Sequence, residues 1–480
     1  MNSPDLHCLG DLDHALSVAR RASEKVVAYR QFLETHDQPS LTSDLWSSIP
    51  TVDKSNYLLK HPFDDLLADD FSEAFTIFSS SGSSGRPFYW PQLKGHQSES
   101  AGRLLQFLEQ TYRINEHSTM AIVGLALGSW IGGEHFSWAL KSLAVQTPYP
   151  FAVFTPGSQH DEIIQMIKSA GRFVDRILLV LCPSAIGHLR LRADQLGMSL
   201  PHEKLRYLVI GEPFPEAVRQ ELQQLSNAPQ EEPVMLSVFG SADTGVLGFE
   251  SPASALIRGI CHQDRNLAQQ LGFSSGIPHL FHHADPSAFM ETIDGELCVT
   301  RWQGIPLVRY NLHDSAQILS WQGIIEVLRE NQHPAGEALA PTIGTLPDIV
   351  AVMGRSDSCL TLTGTNITES MLDEAIRSPK LSEWLSGNYR AEVVLSNGRQ
   401  RLQLQLESKT EVIPSGDLID QIYNILIETL GTAQPEFLDD WKNIYQRWDS
   451  DPELRILDLK FAPWPQLSED QGIKHRGVQA

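Results

Sequence analysis

Cysteine is scarce and scattered: five in 480 residues, Cys8, Cys182, Cys261, Cys298 and Cys359, with no C-x-x-C pair. An odd number at such spacing offers neither a disulfide framework nor a zinc ribbon, so the thiols are expected to be reduced and mostly structural. Long apolar runs are also lacking. The longest, Ile177 to Cys182, is far too short to span a bilayer. The start, Met1 to Ala22, has no apolar stretch and carries Asp5, Asp11 and Asp13, unlike a signal peptide or an Arg-rich transit peptide. A soluble, cytoplasmic protein without membrane insertion is expected. Basic charge is in deficit as well, 37 Lys and Arg against 59 Asp and Glu, for a formal net charge of -22. Such a chain repels phosphate backbones, so nucleic acid is not an expected partner. A single nucleotide can still be held by local amides, cations and Mg²⁺. Neither an internal repeat nor a low-complexity tract is present.

What is present suits more than one α/β domain. From about residue 160 to 240 helical and strand patterns alternate. Apolar residues at helical spacing in Asp161 to Ala170 precede the apolar run Ile177 to Leu181. A polar helix from Ser184, a strand Leu205 to Ile210, a helix Pro215 to Leu225 and a strand Met235 to Phe239 follow. Loops leaving such strands are where ligands usually sit. Glu326 to Pro347 is rich in Pro, Gly, Ala and polar residues, and the pattern changes after it. A boundary near Gly354 is therefore expected, giving a large domain over 1–353 and a small α+β domain over 354–480. In the small domain, Ala391 to Leu395 and the alternating Leu402, Leu404 and Leu406 flank Asn397-Gly398, a dipeptide suited to a tight hairpin turn. A helix with Leu418, Ile422, Ile425 and Leu426 on one face comes next.

The most informative segment is Thr76-Ile-Phe-Ser-Ser-Ser-Gly-Ser-Ser-Gly-Arg-Pro87, an apolar strand end running into hydroxyl residues and glycines. Small residues let the backbone approach a ligand, successive amides can form an anion-binding nest, and hydroxyls can hydrogen-bond phosphate oxygens. It is not a Walker A loop, because the Gly-Lys-Ser/Thr ending is absent.

Read with other segments in order, this loop resembles the phosphate loop of adenylate-forming enzymes, the superfamily of acyl-CoA synthetases, peptide-synthetase adenylation domains and luciferases. The resemblance is to the phenylacetate-CoA ligase group. Ser79-Ser80-Ser81-Gly82-Ser83-Ser84-Gly85-Arg-Pro87 is similar to Ser-Ser-Gly-Thr-Thr-Gly-x-Pro; Ile49-Pro-Thr-Val-Asp-Lys54 and His61-Pro-Phe63 are similar to the group's opening segment. Phe239-Gly240-Ser-Ala-Asp243 resembles the aromatic-Gly-x-x-Glu stretch, which implies a ring near adenine and an acid that helps hold Mg²⁺. Pro306-Leu-Val-Arg-Tyr-Asn-Leu-His-Asp314, after Gly295-Glu-Leu297, resembles the stretch whose aspartate binds the ribose hydroxyls. Gly354-Arg355-Ser-Asp357 and Gly364-Thr-Asn366 are similar to the hinge and first loop of the small domain, with Arg355 a donor to ribose or phosphate and Asp357 the pivot. Lys474, in Gly472-Ile-Lys-His-Arg-Gly-Val478, occupies the place of the mobile catalytic lysine.

The resemblance implies an α/β fold, a large domain with flanking helices and a small mobile domain. It also implies ATP and Mg²⁺ as cofactors and activation of a small carboxylic acid as an acyl-adenylate. The acceptor is then the thiol of CoA or the phosphopantetheine of an acyl carrier protein. Adenylation joins two anions, so cationic groups at the reaction centre, here Lys474 and Mg²⁺ held by Asp243, lower the barrier. Asp243 stands where the group has Glu, which shortens its reach by one methylene; His313 stands where Gly is commoner. Both substitutions keep open a binding protein that holds nucleotide without turnover.

Gly124-Leu-Ala-Leu-Gly-Ser-Trp130-Ile-Gly132-Gly133-Glu-His135-Phe-Ser-Trp138 stands at the acyl-pocket position, and Gly211-Glu212-Pro213 resembles the loop beside adenine and the acyl group. Trp130 and Trp138 are read equally as pocket walls or core. An aryl or medium-sized hydrophobic acid is favoured. Cys261, His262, His279, His282 and His283 are irregularly spaced and read as clustered surface histidines, not a zinc site. A monomer and a homodimer remain equally compatible with the sequence.

Overall fold

The computed structural model describes residues 8–37, 40–68, 71–80, 88–229, 232–273, 276–356, 359–396, 398–409, 414–463 and 466–469. A twelve-stranded sheet runs through the larger part. One half is parallel: Phe151–Phe154, Thr119–Val123, Arg176–Leu181, Leu205–Ile210 and Met235–Ser241 lie side by side. These strands are largely apolar because helices cover both faces. The helices Lys94–Tyr112 and Ile131–Gln146 pack on one face through Leu104, Leu108, Phe136 and Leu140. His160–Ala170, Ala185–Gln195 and Glu216–Ser226 cover the other through Ile163, Ile167, Leu189 and Leu222.

From Gly245–Phe249 onward the sheet turns antiparallel, continuing through His279–His283, Ile349–Arg355, Leu307–Leu319, Glu296–Arg301, Ala288–Ile293 and Cys8–Leu9. Register shifts interrupt Leu307–Leu319 against both neighbours. The stretch before the expected boundary forms the helices Trp321–Glu330 and Pro334–Leu339. Trp321, Ile324, Ile325 and Leu328 bury an apolar face, and Pro334 stands at a helix start, where it costs no hydrogen bond. The strand Ile349–Arg355 then rejoins the large sheet and carries Gly354 within it.

A small C-terminal sheet domain has its own core, including Leu360, Leu372, Leu404, Leu426 and Tyr445. Its hairpin Leu385–Ser396 and Arg399–Ser408 is antiparallel and pairs in parallel with Leu457–Ala462. The helix Asp417–Ala433 packs beneath through Ile422, Leu426 and Leu430. Among the described residues, no helix is long and apolar enough to cross a membrane.

Candidate functional site

A cavity of about 940 Å³ opens where the parallel strands end, between the large sheet and the small domain. Gly124, Cys182 and Gly211 line it just past the ends of three strands, and Phe239 and Gly240 line it at the end of a fourth. This is the crevice that an open α/β sheet offers to ligands.

At one end the lining is charged. Asp243 sits in the turn joining Met235–Ser241 to Gly245–Phe249, and its Oδ2 accepts the Tyr310 hydroxyl at 2.6 Å. Gln303 Nε2 donates to the Asp243 carbonyl at 2.7 Å, and the Arg301 guanidinium donates to the carbonyl of Thr244. Two consecutive carbonyls are thus held from one side, which fixes the direction of the Asp243 side chain. Burial raises the Asp243 carboxyl above its usual range, against the opposing pull of Lys54, the Tyr310 hydrogen bond and Arg355. Burial lowers the Lys54 ammonium; Asp243 opposes that shift and Arg355 adds to it.

Asp314 and Arg355 are register partners on neighbouring strands, and both line the cavity. Phe239 stacks on Phe281, with centroids 5.3 Å apart and planes at 24°. Gly240 has no room for a side chain, since a Cβ would lie 2.4 Å from the Gly245 carbonyl oxygen. The opening segment reaches the cavity because Arg309 clamps it. Its guanidinium donates to the carbonyls of Ser47, at 3.0 Å, and Ile49, and its Nε bonds Glu291 at 3.0 Å. Val52 then pairs with the Leu307–Leu319 strand, Asn311 N donating to its carbonyl at 2.8 Å, and Lys54 follows into the cavity. In the sequence Lys54 is only part of a loosely matched segment. The signal was its place two residues past a buried valine, not a motif.

His313 takes a φ of 57°, the left-handed conformation that favours glycine. Its ring lies between two carboxylates, Nε2 3.3 Å from Asp53 Oδ2 and Nδ1 3.5 Å from Glu296 Oε2. Burial opposes ionisation of Asp53, but hydrogen bonds from His313, Asn56 and Ser55 hold its carboxyl well below the usual range.

At the other end the lining is glycine-rich and apolar, then polar but neutral. Trp130 caps the helix Ile131–Gln146, and Trp130, Gly132 and Gly133 line the cavity. Trp138 instead packs against Phe75, with ring centroids 5.1 Å apart. His135 is buried between Gln97 and Ser100, both at 3.2 Å, and burial pushes it down to about 4. Gly211 has a φ of 98°, and the next residue, Glu212, accepts the Ser184 amide at 2.6 Å. Burial raises Glu212 to about 7 in spite of that bond. Asp440, from the small domain, accepts Thr365 Oγ1 at 2.8 Å and Thr363 Oγ1 at 3.3 Å, and burial raises it to about 7 as well.

Ser79 is buried near the end of the strand Ala74–Ser80, its amide donating to Ser129 O at 2.8 Å, and it lines the cavity; Ser80 ends that strand. Ser81, Gly82, Ser83, Ser84, Gly85, Asp357 and Lys474 lie outside the described residues. Of the histidines read as a surface cluster, His262 is exposed and His283 half-buried, but the other two are not on the surface. His279 and His282 are buried in the strand His279–His283, because that strand is central in the large sheet. His279 Nε2 accepts Phe214 N at 3.2 Å, His282 bonds Pro347 O at 2.6 Å and Ser251 Oγ at 2.9 Å, and His283 bonds Ala288 O at 3.0 Å. Among the described residues, no group of three or more His, Cys, Asp or Glu could hold a metal ion.

No protein-family model matches the chain, and no curated protein does. Solved structures do. The chain is similar to 2-hydroxyisobutyryl-CoA ligase in complex with 2-HIB-AMP and CoA in the thioesterification state, at 14% identity and a TM-score of 0.64, covering 98% of this chain and 87% of that one. It is also similar to an open conformation of that ligase, at 14% identity and a TM-score of 0.53, covering 98% and 89%. At such identity the likeness establishes the architecture, and the chain has the fold of an adenylate-forming enzyme: a large mixed sheet with flanking helices and a small C-terminal sheet domain.

Proposed function

We propose that this protein activates a carboxylic acid with ATP as an acyl-adenylate, releasing pyrophosphate, and passes the acyl group to a thiol. The observation that carries the reading is the convergence of Lys54, Asp243, Tyr310, Asp314 and Arg355 on one end of a cavity at the strand ends. Asp314 is placed to accept both hydroxyls of a ribose, with Arg355 beside it to meet a phosphate. Phe239 supplies a flat face for adenine. Trp130, Gly132, Gly133, Gly211 and Glu212 border the part left for the acid, whose glycines and aromatic wall suit an aryl or medium-sized hydrophobic group.

The residues present fit Mg²⁺: one carboxylate, Asp243, beside a phosphate-sized space, with phosphates and water completing an octahedral set. When bound there, Mg²⁺ would offset charge developing on the phosphates. Asp243 is turned towards that space by Tyr310 and by the hold of Gln303 and Arg301 on its turn. Lys54 adds a cation that, being partly desolvated, acts more strongly on a phosphate than a surface lysine does. Lys474 is assigned the second cation for adenylation, and Asp357 the pivot of a small domain beginning near Gly354. The order of motifs places the protein nearest the phenylacetate-CoA ligase group, with CoA or a carrier-protein phosphopantetheine as acceptor. Greater likeness to the thioesterification-state structure than to the open one supports reading the present arrangement as that of thiol transfer.

The test is acid-dependent exchange of labelled pyrophosphate into ATP over a panel of aryl, short-chain and medium-chain acids, with Mg²⁺. Exchange with some acid, reduced on the order of 10²-fold in Lys474→Ala, is expected. Silence across the panel in protein that still binds ATP would replace this reading with a nucleotide-binding protein that does not turn over.

A further inference from the structure

Gly398, at the turn of the small-domain hairpin, has a place in the molecule that its hairpin role does not account for. Gly187 lies inside the helix Ala185–Gln195, where glycine costs about 1 kcal/mol relative to alanine. Its backbone is not in the left-handed region, so no conformational demand selects glycine there. The reason is contact across the two domains: a Cβ on Gly187 would lie 2.0 Å from the Gly398 carbonyl oxygen and 2.9 Å from Arg399 Cγ. The three atoms nearest that position all belong to Gly398 and Arg399 of the small domain.

Around this contact the two domains fit closely. Gly364 meets the large domain in the same manner, its Cα 3.7 Å from where a Cβ of Gly211 would be, with Cys182 Sγ beside both. His188 is buried against Tyr445, at 4.6 Å and edge-on, and against Trp448, at 5.2 Å and stacked at 17°. At the rim, Arg447 pairs with Asp161 at 2.9 Å. In this arrangement Thr361, Gly364 and Asn366 line the cavity together with the large-domain residues.

We propose that the Gly398 turn seated on Gly187 is the docking contact that holds the small domain in the arrangement for acyl transfer to thiol, so that Gly187 is a positioning residue for the second half-reaction. This rests on the function proposed above. Alanine at 187 suits the helix, and the three atoms nearest its methyl all belong to the small domain, so it forbids the docked arrangement without disturbing the fold that carries Asp243 and Asp314. Arg447→Glu, which sets like charges at Asp161 on the rim, acts in the same direction by a different route.

The experiment compares wild type, Gly187→Ala and Arg447→Glu in two ways. Small-angle scattering should give a compact wild-type particle and a larger radius of gyration for Gly187→Ala, with the melting temperature retained. In half-reaction assays, pyrophosphate exchange should stay within about 2-fold of wild type while single-turnover transfer to CoA falls by about tenfold or more. Arg447→Glu should show the same split, smaller. Gly187→Ala scattering that superimposes on wild type, or equal losses in both half-reactions, would overturn the proposal. Absence of exchange in wild type would sink the enzymatic reading alone, because the scattering comparison needs no substrate.

Discussion

The two ends of the cavity handle ionisable groups in opposite ways. Around Asp243 a buried carboxyl is opposed by cations: burial raises it, Lys54 and Arg355 pull the other way, and His313 lies between Asp53 and Glu296. Around Glu212 charges are suppressed, for Glu212 and Asp440 are both raised to about 7 by burial, and His188 is held well below its usual range by burial and by His160, Arg399 and Arg447. The first end spends local backbone strain, as at His313, to aim polar groups at a ligand. The second closes a contact between domains, where an uncompensated charge would cost several kcal/mol. On the function proposed above, the former suits a site that meets phosphate and the latter a surface that docks and releases.

The largest effect should come from removing the centre of the charged end. Asp243→Ala is expected to reduce pyrophosphate exchange on the order of 10²- to 10³-fold and to leave Lys54 and Arg355 without their carboxylate. Loss of Mg²⁺ dependence in the residual exchange would accompany it. If exchange persisted near the wild-type rate with its Mg²⁺ dependence intact, the metal assignment would fall and the two ends would no longer differ in kind.

How much of this was legible depends on how local each cause is. The strands Arg176–Leu181 and Leu205–Ile210 show as largely apolar runs because both faces are covered, and the hairpin shows because its turn needs a glycine at 398, where φ is 71°. Phe239, Gly240 and Asp243 were legible together because one strand and one turn carry all three. Lys54 was not, since its position depends on Arg309 holding the carbonyls of Ser47 and Ile49 from a distant strand. His279 and His282 were misread for the same reason: only the sheet order reveals that their strand is central. The Gly211-Glu212 loop could be placed beside the strand ends, but the close approach of Gly364 to Gly211 depends on the small domain and has no signal in the sequence.

The neutral end makes a prediction about pH. An unfolded glutamate loses its proton near 4.5, while Glu212 in the folded protein keeps it to about 7. Between those values the folded state binds more protons, so stability falls as pH rises through the window. Glu212→Gln keeps an oxygen for the Ser184 amide and carries no proton to lose. It should melt like wild type near pH 4.5 and be more stable by about 3 kcal/mol at pH 8, with Asp440 leaving part of the slope in place. A variant whose melting temperature tracks wild type across the range would show that Glu212 is ionised in its buried setting.

The smallest effect is expected at His313, where the charged end carries strain and its compensation in one residue. Glycine at 313 relieves the left-handed conformation, a gain of about 1 kcal/mol, and loses the ring between Asp53 and Glu296, a loss of similar size. Stability at pH 7 should therefore change by less than about 1 kcal/mol. The acid limb should change instead. Asp53 is stabilising while ionised, and that contribution is lost as pH falls below its ordinary value of 3.8 towards its depressed one. Without the His313 hydrogen bond the depression shrinks, so the melting temperature of His313→Gly should fall less steeply below pH 4 than that of wild type. An unchanged acid limb would mean that Ser55 and Asn56 alone hold the Asp53 carboxylate, and that His313 serves the charged end only through Glu296.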